Sequence, residues 1–456
     1  MGETLPNKLV FDPRIAPVRQ DSRGLHPHDR YMRLLCFVLA GYALAGKGFA
    51  YIGYPPLLIG EVTMMLGVLV IYTSGCGFAM LANLPSLLLL SLLSLVLFRT
   101  ALDFPAYKVD AIRDSVTVLY GLFAFAVIAL LLEKPERLSW MLQRYGGFAW
   151  LYGIVGIVSV YVTTEAQRIM PVWPLSGISI VYVRLGEAAI HLSGAAVFMI
   201  LGLRQVSPWW IVAMGLSIVL ISPSRGATMA CILPIIAAIV LSGKTMRVLP
   251  TALAAITIFI AAYIVGVDIP TPQGRSIGPE QIVNNIESVL GGQTDPGMDG
   301  TKEWRLRWWK AIVEYTFNGP YFWTGKGYGM GLAEADGFVV GLEHGGPIVR
   351  SPHNVHLTIL ARSGVPGLAL WFLMLAAWYA MLTRDVLTAR SRGDTPWANM
   401  FIWIGCYLAA VIIDATFDVA IEGPMVGIWF WSIFGFGIGA SMIYRFMVAE
   451  AMDRTP

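Results

Sequence analysis

Long uninterrupted apolar stretches constrain this chain more than any other feature. Residues 78–98, 248–267 and 425–444 each approach the roughly 20 apolar residues with which an α-helix crosses a hydrocarbon core. Charge is scarce around them: of 456 residues 13% are charged and 56% hydrophobic, with a mean hydropathy of +0.65, whereas soluble domains carry about 25% charged residues. Lipid is therefore the solvent for most of the chain. The fold class is all-α, a polytopic bundle of transmembrane helices. Apolar runs bounded by charges, Gly and Pro give about twelve spans, at 34–53, 56–73, 78–98, 115–132, 148–164, 188–203, 209–222, 226–242, 248–267, 364–382, 397–417 and 424–446. The polar break at 222–225 turns the seventh and eighth into a hairpin. The first thirty residues are polar and basic with no apolar core, so no cleavable secretory signal is expected and the first helix directs insertion. Cys36, Cys76, Cys231 and Cys406 are scattered over apolar segments without metal-ligand spacing, which makes them small core residues.

Charge counting orients the bundle, because short cytoplasmic loops retain Lys and Arg. With the N-terminus inside, 17 of the 32 basic residues fall on the inner side; eight of the other 15 lie in one long segment exempt from the rule, leaving 17 against 7. Both termini are expected in the cytoplasm. The chain then divides into a basic N-terminal arm at 1–33, nine spans over 34–267, a long extracytoplasmic segment at 268–363, three spans over 364–446 and a tail at 447–456. The basic arm is read as a topology signal near anionic lipid.

Function is to be sought in the 268–363 segment. Its first part, PTPQGRSIGPEQIVNN and GGQTDPGMDG, reads as mobile loop. In KEWRLRWWKAIVEYTF, Trp304, Trp308, Ile312 and Tyr315 share one helical face beside Arg305 and Arg307, the pattern of an amphipathic helix at a membrane interface. GPYFWTGKGYGMG is not a nucleotide-binding loop, since Pro320 stands where a phosphate loop needs Gly. Its glycines suit a turn at which the backbone approaches a partner or substrate.

The segment ends in RSPHNVHLTILARSGVPGLALWFLMLAAW. His-Asn, a helical apolar stretch, then Gly-x-Pro-Gly leading into a membrane helix resembles the C-terminal hallmark of the O-antigen ligase and polymerase superfamily. SPSRGATMA around Arg225, Arg305 with its following tryptophans, and KGFAYIGYPPLLIGE at 47–61 stand in the order that superfamily shows. The resemblance implies a GT-C-like bundle in a bacterial inner membrane. The implied activity is glycan transfer from a polyprenyl-pyrophosphate (undecaprenyl) donor to an acceptor hydroxyl on the periplasmic face. The donor, a lipid or glycan acceptor and membrane lipids are the implied partners; nucleic acid and cofactors are not expected. Counting charges independently puts Arg225, Arg305 and His353 on that outer face.

Such a transfer needs a base for the hydroxyl and positive charge on the departing pyrophosphate. His353 suits the first, because an imidazole titrates near ambient pH. Arg225 and Arg305 suit the second, because a guanidinium grips phosphate oxygens in pairs. No outer Asp-x-Asp offers a metal site, so the expected reaction is metal-free and inverting. Arg99, Asp110, Arg113 and Arg350 are secondary candidates for donor or acceptor. Asn354 is a capping type beside the base, and His356, one helical turn on, is assigned to packing or substrate contact. Glu61, Asp414 and Asp418 sit in or at apolar spans and mark either a polar cavity or a structural pair. Ligase and polymerase share this chemistry, and the sequence pattern lies nearer the ligases. A transporter is the remaining alternative, weakened by the lack of a repeat matching the long segment.

Overall fold

Helix-start signals in the sequence explain several of the breaks between apolar runs. Asn83 accepts the N–H of Ser86 at 2.9 Å with Pro85 in the first turn of Leu84–Tyr107, and Ser207 and Ser224 cap Pro208–Leu220 and Arg225–Leu241 in the same way. The computed structural model describes residues 26–165, 169–267, 269–270, 276–289, 296–339 and 350–453. The arm at 1–25, the glycine-rich 291–295 and the last three residues, all assigned roles from the sequence, lie outside the described residues.

Every one of the twelve apolar runs contains helix, but the helices differ in reach. Leu84–Tyr107, Arg137–Glu165, Val355–Ser391, Thr395–Phe417 and Pro424–Asp453 are long and apolar enough to cross a membrane. A sixth crossing is available if Val109–Leu119 and Leu122–Glu133, bent by 42°, form one span. Ile59–Thr73, Leu185–Ile200, Pro208–Leu220 and Arg225–Leu241 have 15, 16, 13 and 17 residues. At 1.5 Å per residue these reach about 20–26 Å, short of a core about 30 Å thick. Hydropathy counts apolar residues wherever they lie, whereas caps and turns end helices early. The first span shows this: Pro27–Ala45 stops at Gly46, whose φ of 57° lets the backbone meet Tyr182.

Pro424–Asp453 is the central helix, buried almost continuously from Met425 to Tyr444. It packs closely on Leu122–Glu133; a Cβ on Gly435 would stand 2.3 Å from the Ala124 carbonyl oxygen. The outer face of Leu84–Tyr107 leaves Leu87, Leu90, Leu97, Phe98 and Leu102 between 41% and 63% exposed, an apolar band that belongs in lipid. The chain is a membrane protein of packed helices.

The long segment is more ordered than its composition suggests. Part of the stretch read as loop is the helix Pro279–Val289, started by a proline at its first position, and Pro296–Val313 begins inside GGQTDPGMDG. The aromatic face of Pro296–Val313 also departs from expectation. Trp308 and Ile312 are fully buried against Leu332, Ala333, Leu360 and Ala361, so the stripe packs on protein instead of resting at an interface. Trp323, 74% exposed, keeps the character of an anchor.

The Gly-rich turn does bring backbone into close approach, and its partner is this chain. Gly325, Gly327 and Gly329 have φ of 60°, 84° and 99°, and side chains there would collide with the Arg362 backbone, the Asp103 carboxylate and Tyr107. Lys326 ion-pairs with Asp336 and lies 4.3 Å from the Tyr315 ring centre, so its charge is already used. Gly364 (φ 68°) breaks Val355–Ser391 where Val365 N–H donates to the Phe322 carbonyl at 2.8 Å. A nine-residue helix carrying His356 therefore sits at an angle on the long helix that follows.

Candidate active site

The site assembles around one helix end. Thr395–Phe417 stops at Asp418, and four separated segments reach Phe417 or Asp418. Arg305 donates from Nη1 to the Phe417 carbonyl at 2.8 Å. Arg225 opens the helix capped by Ser224, and a Cβ placed on Gly226 would stand 3.3 Å from Phe417 Cβ. His353 Nδ1 lies 3.2 Å from Asp418 Oδ1, and Arg184 Nη1 lies 3.5 Å from the same oxygen. The Arg305 helix is also tied to the histidine segment, because Trp309 Nε1 donates to the Pro352 carbonyl at 2.8 Å. Of the three residues assigned principal roles from the sequence, Arg305 and His353 thus touch this helix end with their side chains, and the helix start that carries Arg225 packs against it.

His353 is held in an unusual backbone conformation. Its φ is 56°, the left-handed region that a non-glycine residue enters at a cost of about 1–3 kcal/mol unless its surroundings impose it. The surroundings are identifiable. Ser351 Oγ accepts the His353 N–H at 3.3 Å and donates to Glu422 Oε1 at 2.5 Å. Asn354 caps the following helix, its Oδ1 accepting the N–H groups of His356 and Leu357 at 3.0 and 3.2 Å. Thr358 Oγ1 lies 2.9 Å from the same Glu422 oxygen. Burial pushes the Glu422 carboxyl up, while the Ser351 and Thr358 hydroxyls pull it back. Asn354 therefore acts on His353 through backbone placement.

Electrostatics at the centre favour an anionic Asp418. Burial alone would raise its carboxyl, but the hydrogen bond from His353 and the charge of Arg184 bring it down to about 2. An ionised Asp418 accepts the Nδ1 N–H as a hydrogen bond, which in the neutral ring places the lone pair on Nε2. Nε2 has no hydrogen bond among the described residues, and the His353 side chain is 22% exposed.

His356 is differently placed. Trp371 Nε1, which can only donate, bonds to His356 Nδ1 at 3.0 Å. Nε2 then carries the proton and faces Thr416 Oγ1 at 3.3 Å, while that hydroxyl donates to the Ile412 carbonyl at 2.8 Å. Stacked on Phe372 at 5.1 Å, the ring has both nitrogens engaged.

The secondary candidates gather at another corner. Asp110 pairs with Arg113 at 2.9 Å. Arg350 turns away from its neighbour His353 to bond Asp114 and the Gly329 carbonyl, each at 3.1 Å. Arg99 lies near Tyr328 in the Gly-rich turn, and its Nε is buried without a hydrogen-bond partner among the described residues. Glu61 accepts the Tyr120 hydroxyl at 3.0 Å, and Asp414 is buried against Gly186. Arg184 was not singled out from the sequence. Its only local signal is Glu187 three residues on, the spacing of a helix-start box, of which one half is present: the Arg184 N–H donates to Glu187 Oε2 at 3.3 Å.

Comparison with protein families matches residues 210–372 to the family described as O-antigen ligase. The match begins just before Arg225 and ends beyond the Gly-x-Pro-Gly turn, so it includes Arg225, Arg305 and His353 but not Asp418 or Arg184. Comparison with curated proteins gives no match.

Proposed function

We propose, from the membership of the O-antigen ligase and polymerase family that residues 210–372 carry, that this membrane protein transfers a glycan from a polyprenyl-pyrophosphate donor to an acceptor hydroxyl at its extracytoplasmic face. The observation that supports the reading is that His353 and Arg305 contact the Phe417–Asp418 helix end and that the helix start bearing Arg225 packs on Phe417. In this reaction His353 Nε2 takes the proton of the acceptor hydroxyl as its oxygen attacks the anomeric carbon. The bond from that carbon to the pyrophosphate oxygen breaks with inversion, and polyprenyl pyrophosphate leaves. Arg225 and Arg305 stabilise the charge on the departing group through paired hydrogen bonds. Asp418 fixes the ring's tautomer and stabilises the imidazolium that forms, the role a carboxylate plays behind any histidine base.

In this reading the short helices among the twelve apolar runs also cross the bilayer, with both termini cytoplasmic and the bilayer an inner membrane. The acceptor is a lipid or a growing lipid-linked glycan, which covers ligase and polymerase alike. The test is a reconstituted assay of the purified protein with lipid-linked glycan donor and acceptor. Transfer with an inverted anomeric linkage, undiminished by a chelator, is expected. A rate abolished by chelation and restored by magnesium defeats the metal-free step, and retention of configuration defeats the single displacement. Orientation is checked separately by Glu334→Cys, which should react with an impermeant thiol reagent in intact spheroplasts; labelling only after permeabilisation reverses the topology.

A further inference from the structure

The helix that ends at Asp418 also walls a cavity far from it. Trp403 in that wall stands 15 residues before Asp418, about 22 Å along the helix axis. The cavity, of about 390 Å³, lies among Pro27–Ala45, Arg137–Glu165, Thr395–Phe417 and Pro424–Asp453. Close-packed interiors leave few voids larger than a water, and ligand sites begin at about 300 Å³. Phe37, Tyr145, Phe148, Trp403, Trp429 and Phe436 make most of its surface apolar.

We propose that this cavity binds an anionic phospholipid, with an acyl chain among the aromatic walls and the headgroup phosphate on Arg33 and Arg144. Both arginines line the cavity and share the indole of Trp140, their guanidinium carbons 5.8 and 5.1 Å from its centre. Two permanent positive charges on one ring repel each other, and among the described residues no carboxylate pairs with either. Asp29 pairs with Arg137 and Lys134, and Glu133 with Arg137 and His28. A phosphate between the two guanidiniums accepts paired hydrogen bonds and removes the repulsion.

A second observation lies inside the cavity. Ser432 lines it, is 5% exposed, and its hydroxyl has no hydrogen-bond partner among the described residues. A buried donor left unmade is costly, and a glycerol ester carbonyl supplies the acceptor. That contact distinguishes a phospholipid from a polyprenyl phosphate, which has phosphate and tail but no ester. The wall runs from Arg33 to Ala40 on one helix, about 10 Å, enough to hold the first part of an acyl chain below the headgroup. Neither feature depends on the transfer reaction.

Native mass spectrometry of the full chain, in micelles holding equal phosphatidylglycerol and phosphatidylcholine, should show phosphatidylglycerol retained about tenfold over phosphatidylcholine. Arg33→Gln with Arg144→Gln should remove that preference. Ala40→Phe, which fills the cavity and leaves its charges in place, should lower retention of both lipids while the melting temperature holds. Equal retention of the two lipids by the wild-type protein, or unchanged retention in both variants, overturns the site. Preferential capture of added polyprenyl phosphate over phosphatidylglycerol overturns the occupant.

Discussion

Asp114 and Asp418 are each met by basic side chains, and they do opposite things with them. The Asp114 side chain is 8% exposed and takes Arg350 at 3.1 Å, Arg362 at 3.0 Å, Arg113 at 3.3 Å and the Gly329 N–H at 3.1 Å. Arg362 goes on to bond the Gly327 carbonyl at 3.2 Å, so the corner fastens the Gly-rich turn to Val109–Leu119, the helix that carries Asp114. Asp418 is 34% exposed and carries one imidazole, one guanidinium at 3.5 Å and the Val419 N–H at 2.8 Å. Its imidazole keeps one nitrogen in reserve. A buried carboxylate saturated by its partners is a fastener, whereas one that orients a group with an unused edge is equipped for chemistry.

The largest effects should separate these corners. His353→Ala should lower glycan transfer by about 10²- to 10⁴-fold with membrane insertion and donor binding intact. Asp114→Asn should do the reverse, leaving the buried Arg362 guanidinium without its counter-charge at a cost of about 3–5 kcal/mol, read as lost yield and melting temperature. If the His353 variant keeps its rate, the distinction between the corners collapses. Next in size, Arg225→Lys and Arg305→Lys should slow transfer by about 10- to 100-fold at normal protein level, since the charge stays and the paired hydrogen bonds go. Wild-type turnover in both would take the arginines out of the mechanism.

His356→Ala sharpens the comparison one helical turn away. Loss of the Trp371 and Thr416 bonds should destabilise the protein by about 1–3 kcal/mol and slow transfer less than about tenfold. Were the effects of the two histidine variants exchanged, the base would be His356. The smallest effect is titration of Asp418. Its carboxyl, near 2, lies below the ordinary value of about 3.9, so its contribution to stability is complete above the ordinary value and is lost as pH falls through 2. The infrared carboxylate signal that Asp418→Asn removes should persist down to about pH 3. A protonated carbonyl already present at pH 5 would break the ion pair assigned here.

Much of this was legible along the chain, and the parts that were not share a cause. The helices follow from apolar runs and capping residues such as Asn83 and Ser224. The likeness to the O-antigen ligase family, matched over residues 210–372, was legible in His353-Asn354, Gly-Val-Pro-Gly and the two arginines in order. The reach of each apolar run was not legible, because residues 56–73 and 209–222 are apolar enough to count while their helices are only 15 and 13 residues long. The tryptophans of Pro296–Val313 have the same sequence pattern whether they face lipid or protein, and Leu332 and Leu360, which cover Trp308, are distant in sequence.

The sequence by itself determined which segments are helical, which residue types are available for acid-base and phosphate chemistry, and that lipid surrounds them. Those are local properties, set by side-chain polarity and by caps within four residues of each helix start. Tertiary structure alone decided that Asp418 serves His353 at 3.2 Å across 65 residues of chain, that Arg184 joins them, and that Arg350, beside His353 in sequence, serves Asp114 instead. Hydrogen bonds and ion pairs act over a few ångströms in space, whatever the separation along the chain. The order of residues names the reagents, and packing chooses which of them meet.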